Sequence, residues 1–189
     1  MNPVNSDFEY QAKLLAAFCM GEVRQGEMDK RPLHAVNAAA AFEAKDYALA
    51  LRKLRYDAEH GDAAAPYRLY SLYQKGDVIE KNVNEAGKWL RLAAERGSGD
   101  AQFWLGVNLL DAKEGFAANK SEAFTWMTRA ADKRAADSLF WLGHMYQYGY
   151  GTARDLDLAE KYFKLADADG RADAKEKLAE VQKARAGRN

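Results

Sequence analysis

Histidine is the residue type in this sequence best suited to binding a metal or transferring a proton, and the chain contains three. A zinc site on a helix needs two histidines about one turn apart, so that both imidazoles face the same ion. His34, His60 and His144 instead lie in three separate stretches of the chain. Their spacing predicts no local metal site.

Acidic and glycine-rich stretches offer two further patterns, one for calcium and one for phosphate. Asp167 and Asp169 precede Gly170 as in a calcium-binding loop. However, the glycine comes two positions too early, and Leu178 stands where a bidentate glutamate is required. Residues 21–26 have the glycine spacing of a phosphate-binding loop but lack its lysine and hydroxyl residue. Both stretches are interpreted as turns.

The remaining candidates for catalysis have simpler structural interpretations. Cys19 lies on the apolar stripe of a predicted helix, where a buried thiol is more common than a reactive one. Asp155 and Asp157 fall in a predicted turn, where carboxylates are solvated or cap the next helix. We therefore predict no catalytic residue, no cofactor and no metal, and expect a protein that is not an enzyme.

Composition excludes several classes of protein. The chain has 189 residues, of which 48% are hydrophobic, so it can bury a core. Its 28 basic and 28 acidic residues balance, which predicts no nucleic-acid partner, and no stretch reaches the length of a membrane span. A single cysteine excludes an internal disulfide, and Asp7 and Glu9 stand where a secretory signal would be basic. We expect a cytoplasmic protein.

An internal repeat organises most of the sequence. Ala50, Ala86, Ala123 and Ala159 recur at intervals of 36 or 37 residues, and a glycine follows three of them eleven positions later. A second helix with aromatic and leucine positions precedes each of the last three copies, and a turn rich in Gly, Asn and Asp joins the two helices. The pattern predicts antiparallel helix pairs that stack in an array, because one pair alone could not bury these faces.

The residues of the repeat carry a family resemblance. The fourth unit contains Trp141-Leu142-Gly143-His144-Met145-Tyr146 and a Gly-Tyr-Gly turn, then Ala159, Tyr162-Phe163 and Ala166. This pattern resembles the Sel-one-like repeats, which are relatives of the tetratricopeptide repeats. The resemblance implies an all-α, right-handed α-solenoid of antiparallel helix pairs with capping helices at both ends. Tyr70 replaces the glycine found at 106 and 143, and the third unit has an extra residue in its turn.

The repeat pattern divides the chain into six segments. They are an N-terminal capping helix and loop (1–31), a degenerate first repeat (32–61), three further repeats (62–97, 98–134 and 135–170), and a C-terminal capping helix and tail (171–189). In the first segment a helix is predicted from Asp7 to Met20, and its residues Leu14, Leu15, Phe18 and Cys19 are expected to pack on the first helix pair. The alternative is that this segment docks on a partner or on a second copy of the chain.

The resemblance also indicates where a partner would bind. In such arrays the first helix of each pair lines the concave side, and its variable positions face the groove. On this sequence the expected partner-binding residues are Arg68, Ser71, Trp104, Val107, Trp141, His144 and Tyr148. Trp104 and Trp141 either form a ridge for a ligand or pack between units, whereas Trp89 and Trp126 are expected in the core.

These observations favour a protein-protein interaction adaptor. The resemblance implies a bacterial scaffold, regulator, chaperone or immunity-type protein that binds a protein or peptide on the concave face, and we expect a monomer or weak homo-oligomer. One alternative is a structural homo-oligomer formed through the N-terminal segment. Another is β-lactam binding or hydrolysis, as in cysteine-rich members of the family, but the single cysteine argues against this.

Overall fold

The computed structural model describes residues 32–132 and 136–187. The chain divides into two compact units, residues 1–93 and 94–189. The described residues form a short 3₁₀ turn at Leu33–Ala35 and nine α-helices, and they contain no strand. The helices are α1 Ala38–Glu43, α2 Tyr47–Glu59, α3 Ala65–Lys75, α4 Val83–Glu95, α5 Gly99–Asp111, α6 Lys120–Ala131, α7 Ala136–Tyr148, α8 Leu156–Ala168 and α9 Ala174–Ala186.

Polar side chains begin several of these helices. The carboxylate of Asp155 accepts hydrogen bonds from the backbone N–H groups of Asp157 (2.9 Å) and Leu158 (3.0 Å), which makes it the N-cap of α8. Asn37, Asp46, Ser98 and Asn119 cap other helices in the same way. Of the two alternatives, solvation or capping, the structure shows capping for Asp155, whereas the carboxylate of Asp157 lies within α8 and pairs with Arg185.

Glycine ends helices where the repeat pattern predicts it. Gly61, Gly97 and Gly170 adopt φ values of 95°, 86° and 91°, a left-handed conformation that closes a helix without steric penalty. Arg134, which stands at the equivalent place in the third unit, lies outside the described residues.

In the N-terminal unit, α2 packs against both α1 and α3. Val36 is buried directly before α1, and it joins Ala41, Leu49 and Ala50 in one apolar cluster. Leu33 from the 3₁₀ turn packs against this cluster, so the chain is fixed on α2 before α1 begins. The predicted helix from Asp7 to Met20 lies outside the described residues.

In the C-terminal unit, α5 packs on α6 and α7 packs on α8. The alanines of the repeat, among them Ala123 and Ala159, are fully buried where the helices meet. Gly143 allows a close approach of α7 and α8: a Cβ at this position would lie 2.8 Å from two ring carbons of the fully buried Phe163. Small side chains at the crossing therefore determine how near α8 can come to α7.

Two departures from the repeat pattern have local structural consequences. Tyr70, at the position of Gly106 and Gly143, is buried and packs on Tyr67, with ring centroids 5.6 Å apart. The turn after α5 contains left-handed residues other than glycine, Ala112 (φ 53°) and Glu114 (φ 51°). The side chain of Asn108, itself buried, donates a 2.8 Å hydrogen bond to Glu114 and so holds this turn.

An acidic residue of α8 attaches the C-terminal helix α9, which lies within the segment predicted to cap the array. Glu160 is buried and accepts hydrogen bonds from Gln182 (3.2 Å) and Arg185, both on α9. Lys164 lies 2.7 Å from the same carboxylate. Hydrogen bonds from Lys164 and Gln182 lower the pKa of Glu160 from its ordinary 4.5 to about 2. The carboxylate is therefore ionised at neutral pH and joins the two helices.

The close approach at Gly143 leads to a first prediction. Gly143→Ala should lower the free energy of unfolding by about 1–3 kcal/mol, because the added methyl group meets a buried aromatic ring that cannot move away. Gly106→Ala is the matched control, since a Cβ there would meet the flexible terminal methyl of Met127 at 3.0 Å. We expect this variant to stay within about 1 kcal/mol of wild type in urea unfolding. Equal losses for both variants would contradict the assignment.

The attachment of α9 leads to a second prediction. Glu160→Gln should destabilise the protein by about 1.5–3 kcal/mol at pH 7, because it removes an ionised acceptor of several hydrogen bonds. The pKa of Glu160 is lower in the folded state than in the unfolded state. Its contribution is therefore complete above the unfolded pKa of 4.5 and is lost as the pH falls toward 2.

The measurement is urea unfolding of wild type and variant across this pH range, and the stability difference should shrink with acidification. Glu176→Gln, at an exposed carboxylate of α9, is the control and should change stability by less than about 0.5 kcal/mol. A difference that does not depend on pH would rule out the ionised carboxylate as the cause.

Candidate partner-binding site

Trp104 and Trp141 occupy equivalent places on α5 and α7. Each is the sixth residue of its helix, and each precedes a buried leucine, Leu105 or Leu142. The buried leucines fix the rotation of each helix, because they face the core. Trp104 is 43% exposed and contacts Phe103 edge-on, whereas Trp141 is half-buried.

Four rings follow one another along α7 and into the turn after it. The centroids of Trp141 and His144 are 6.0 Å apart, those of His144 and Tyr148 are 5.7 Å apart, and those of Tyr148 and Tyr150 are also 5.7 Å apart. The last two pairs are stacked. Tyr148 is 49% exposed and Tyr150 is 40% exposed. We call Trp141, His144, Tyr148 and Tyr150 the aromatic row.

His144 lies at the base of the row, against the core. Its ring contacts Phe140 at 4.9 Å and Phe163 at 5.5 Å, both edge-on. Burial lowers the pKa of its imidazole, and the charge of Lys177 acts in the same direction while Glu180 opposes it. The imidazole is therefore neutral at pH 7, and its flat ring supports that of Tyr148.

Sequence reasoning missed Tyr150, which extends the row beyond the helix. Gly149 and Gly151 flank it with φ values of 74° and 72°, and a Cβ at position 151 would lie 1.9 Å from the carbonyl oxygen of Lys120. The ammonium group of Lys120 lies 4.8 Å from the centroid of the Tyr150 ring, a cation–π contact. The signal in the sequence was an aromatic residue between two turn glycines.

The other expected partner-binding residues lie elsewhere. Val107 is half-buried on α5. Arg68 and Ser71 lie on α3 in the N-terminal unit, where they line an open cavity of about 580 Å³. The hydroxyl of Ser71 donates a 3.1 Å hydrogen bond to the carbonyl of Tyr67. Of the predicted set, the structure joins Trp141, His144 and Tyr148 in direct contact.

Comparison with known proteins identifies the repeat. The model of the Sel1 repeat matches residues 64–98, 99–134 and 136–166, more than half of the chain. The chain belongs to the Sel1 repeat family. Its fold is similar to the crystal structure of a Sel1 repeat protein from Oxalobacter formigenes, with a TM-score of 0.64 and 35% identity. That match covers 69% of this chain and 97% of the other.

More distant relatives share the fold. A protective antigen of uropathogenic Escherichia coli with the SLR fold, c5321, is 24% identical with a TM-score of 0.52; the match covers 95% of this chain and 50% of that one. Helicobacter pylori cysteine rich protein B is 20% identical with a TM-score of 0.51, over 75% and 97% of the two chains. The uncharacterized protein YibG of Escherichia coli K12 is 38% identical over 61 residues, which span 32% of this chain and 38% of YibG.

These matches confirm the predicted fold class, an all-α solenoid of antiparallel helix pairs. Sel1 repeats are generally protein-interaction modules, and their fold is typically a scaffold without catalytic activity. The relevant features of the Sel1 repeats in this chain are therefore their exposed surfaces.

Other polar groups of this Sel1 repeat protein form contacts within the fold. Asp157, Glu160 and Arg185 line a cleft of about 480 Å³, and ion pairs connect them across it. His60 stacks on Tyr56 within α2 and its cap. Across residues 32–132 and 136–187, no three His, Cys or acidic side chains are grouped to hold a metal, and no helix is long and apolar enough to cross a membrane.

The four tryptophans differ in burial. Trp126 on α6 is only 6% exposed; its indole N–H donates a 3.2 Å hydrogen bond to Glu122, and Arg129 lies over its ring at 4.6 Å. Trp89 on α4 is half-buried, with its indole nitrogen enclosed. Trp104, at 43%, is the most exposed of the four.

This difference leads to a third prediction. Trp126→Ala should destabilise the protein by about 3–5 kcal/mol, because it leaves a cavity in the core. Trp104→Ala removes a side chain of the same size, but an exposed one. It should lower the free energy of unfolding by less than about 1 kcal/mol. Thermal and urea unfolding of the two variants measure the stability that each has lost relative to wild type. If Trp104→Ala lost as much stability as Trp126→Ala, Trp104 would be a packing residue and not part of a binding surface.

Proposed function

We propose that this Sel1 repeat protein is an adaptor without catalytic activity that binds a protein or peptide through the first helices of its C-terminal unit. The contact residues in this proposal are Trp104 and the aromatic row. The observation that carries it is that Tyr148 and Tyr150 are stacked in line on a supporting ring yet each leaves close to half of its surface exposed.

Rigid, exposed aromatic side chains are well suited to protein recognition. A large ring buries much apolar area, and its polar tip can still form a hydrogen bond. Tyr148 is supported by His144 on one side and by Tyr150 on the other, so little side-chain entropy remains to be lost on binding. Tyrosine and tryptophan are accordingly the residues that most often dominate the energetics of interfaces.

The expected biological setting follows from the family and from the composition. Assembly or regulation in a bacterial cell, as a scaffold, regulator, chaperone or immunity-type protein, fits an interaction module of this kind. The single cysteine leaves no internal disulfide, which is typical of a reducing compartment, so we propose a cytoplasmic location. In the absence of its partner we expect a monomer or weak homo-oligomer.

The test begins with capture of binding proteins from a host lysate on the full chain, followed by calorimetric titration with the purified partner. The double variant Trp104→Ala/Tyr148→Ala should lose at least tenfold in affinity, because both rings would be removed from the interface. Trp141 is left in place because it is half-buried and its loss would also affect the packing of α7.

Val83→Ala is the matched control, since Val83 is an exposed apolar residue of α4 outside the proposed surface. Its affinity for the partner should equal that of wild type. Circular dichroism establishes that each variant is folded before binding is measured. A folded double variant that binds with wild-type affinity would refute the proposed surface.

A further inference from the structure

The N-terminal unit contains an apolar cavity between the first helices of its two pairs. Ala39 and Phe42 of α1 form one wall, and Leu72 of α3 contributes to the other. Leu54 of α2, which is almost fully buried, lies at the floor. The cavity has a volume of about 580 Å³ and is open to one side. It is large enough to hold several apolar side chains of another segment.

The border of this cavity is basic. Arg68 and Lys75 are exposed on α3 and lie seven residues apart, so they stand on one face of the helix about two turns from each other. The cavity lining contains these two cations and no acidic side chain. A matching occupant would combine an apolar stripe with negative charge.

Residues 7–20 of the same chain have this chemistry. Leu14, Leu15 and Phe18 form an apolar stripe at helical spacing. Asp7 and Glu9 stand at the start of the segment, and Lys13 is its one basic residue. The net negative charge of the segment complements the basic border of the cavity.

The chain connection favours this segment over a second molecule. The described chain begins beside the cavity, because Val36 is buried on α2 and Ala39 lines the cavity wall. Residues 21–31 can extend over about 36 Å, whereas α3, with 11 residues, is about 16 Å long. The segment can therefore reach any part of the cavity, and its effective concentration there is about millimolar.

We propose that residues 7–20 occupy the cavity between α1 and α3 of their own chain, with Leu14, Leu15 and Phe18 buried over Leu54. Arg68 and Ser71 are then covered by the protein itself and do not contact a partner. This assignment concerns the N-terminal unit alone, so it stands or falls independently of the aromatic surface of the C-terminal unit.

Photo-crosslinking in the full chain tests the assignment. Benzoylphenylalanine is incorporated at Ala39 or at Lys75, on the two walls of the cavity, and crosslinked peptides are mapped by mass spectrometry. We expect adducts of monomer mass that join either position to residues 7–20. Asn84, an exposed residue of α4 that does not line the cavity, is the control position and should give at least tenfold less of this adduct.

Phe18→Asp in the same background should reduce the adduct yield about tenfold, because a buried carboxylate opposes docking. Adducts of dimer mass would show that a second copy supplies the segment. Absence of adducts to residues 7–20 from both cavity positions, or equal yields from Asn84, would show that the segment lies elsewhere. Each of these outcomes would overturn the proposal.

A synthetic peptide of residues 7–20 gives a second measurement that does not depend on crosslinking. It should bind the full-length Phe18→Asp protein about tenfold more tightly than wild type, because the cavity of wild type is already occupied. Equal binding to both proteins, or binding to neither, would contradict occupation of the cavity in cis. Circular dichroism of the variant establishes that its helices are retained.

Discussion

Close approach of paired helices is the constraint on which the rest of this structure depends. Ala123 and Ala159 are fully buried, and Gly143 leaves no room for a methyl group beside Phe163. Because the backbones come so near, larger side chains have to lie to either side of the crossing. The large rings of α7 therefore divide into two groups: Phe140 packs inward against Phe163, and Tyr148 stands outward. The exposed aromatic rings of the candidate surface are therefore a consequence of how closely the helices of the repeat pack.

Most of the helical framework could be predicted from the sequence, because the signals that specify it are local. Glycines that follow three of the four repeat alanines end helices at Gly61, Gly97 and Gly170, and Asp155 caps α8. These features depend on a few neighbouring residues, whose types are visible in the sequence. The start of α9 carries a weaker local signal, since Asp173 at its N-terminus makes no side-chain capping bond.

The candidate site was less predictable, because its properties depend on contacts between helices. His144 stood at a position expected to face the groove, yet Phe163 from the following helix covers one side of it and burial lowers its pKa. Tyr150 was overlooked because a residue between two glycines is usually read only as part of a turn. The assignment of Trp104 and Trp141 to a partner surface stays a prediction, although Trp104 is clearly the more exposed of the two.

The turn after α7 has a consequence for how the C-terminal unit can change over time. Gly151 lies against the carbonyl of Lys120, at the start of α6, while the side chain of Lys120 reaches the ring of Tyr150. Lys120 thus links the turn after α7 to the first turn of α6, through its backbone carbonyl and its side chain together. An insertion in this loop would break both contacts at once. Substitutions that keep the length of the turn are therefore tolerated better than insertions or deletions. The exposed ring of Tyr150 can be replaced to suit a different partner.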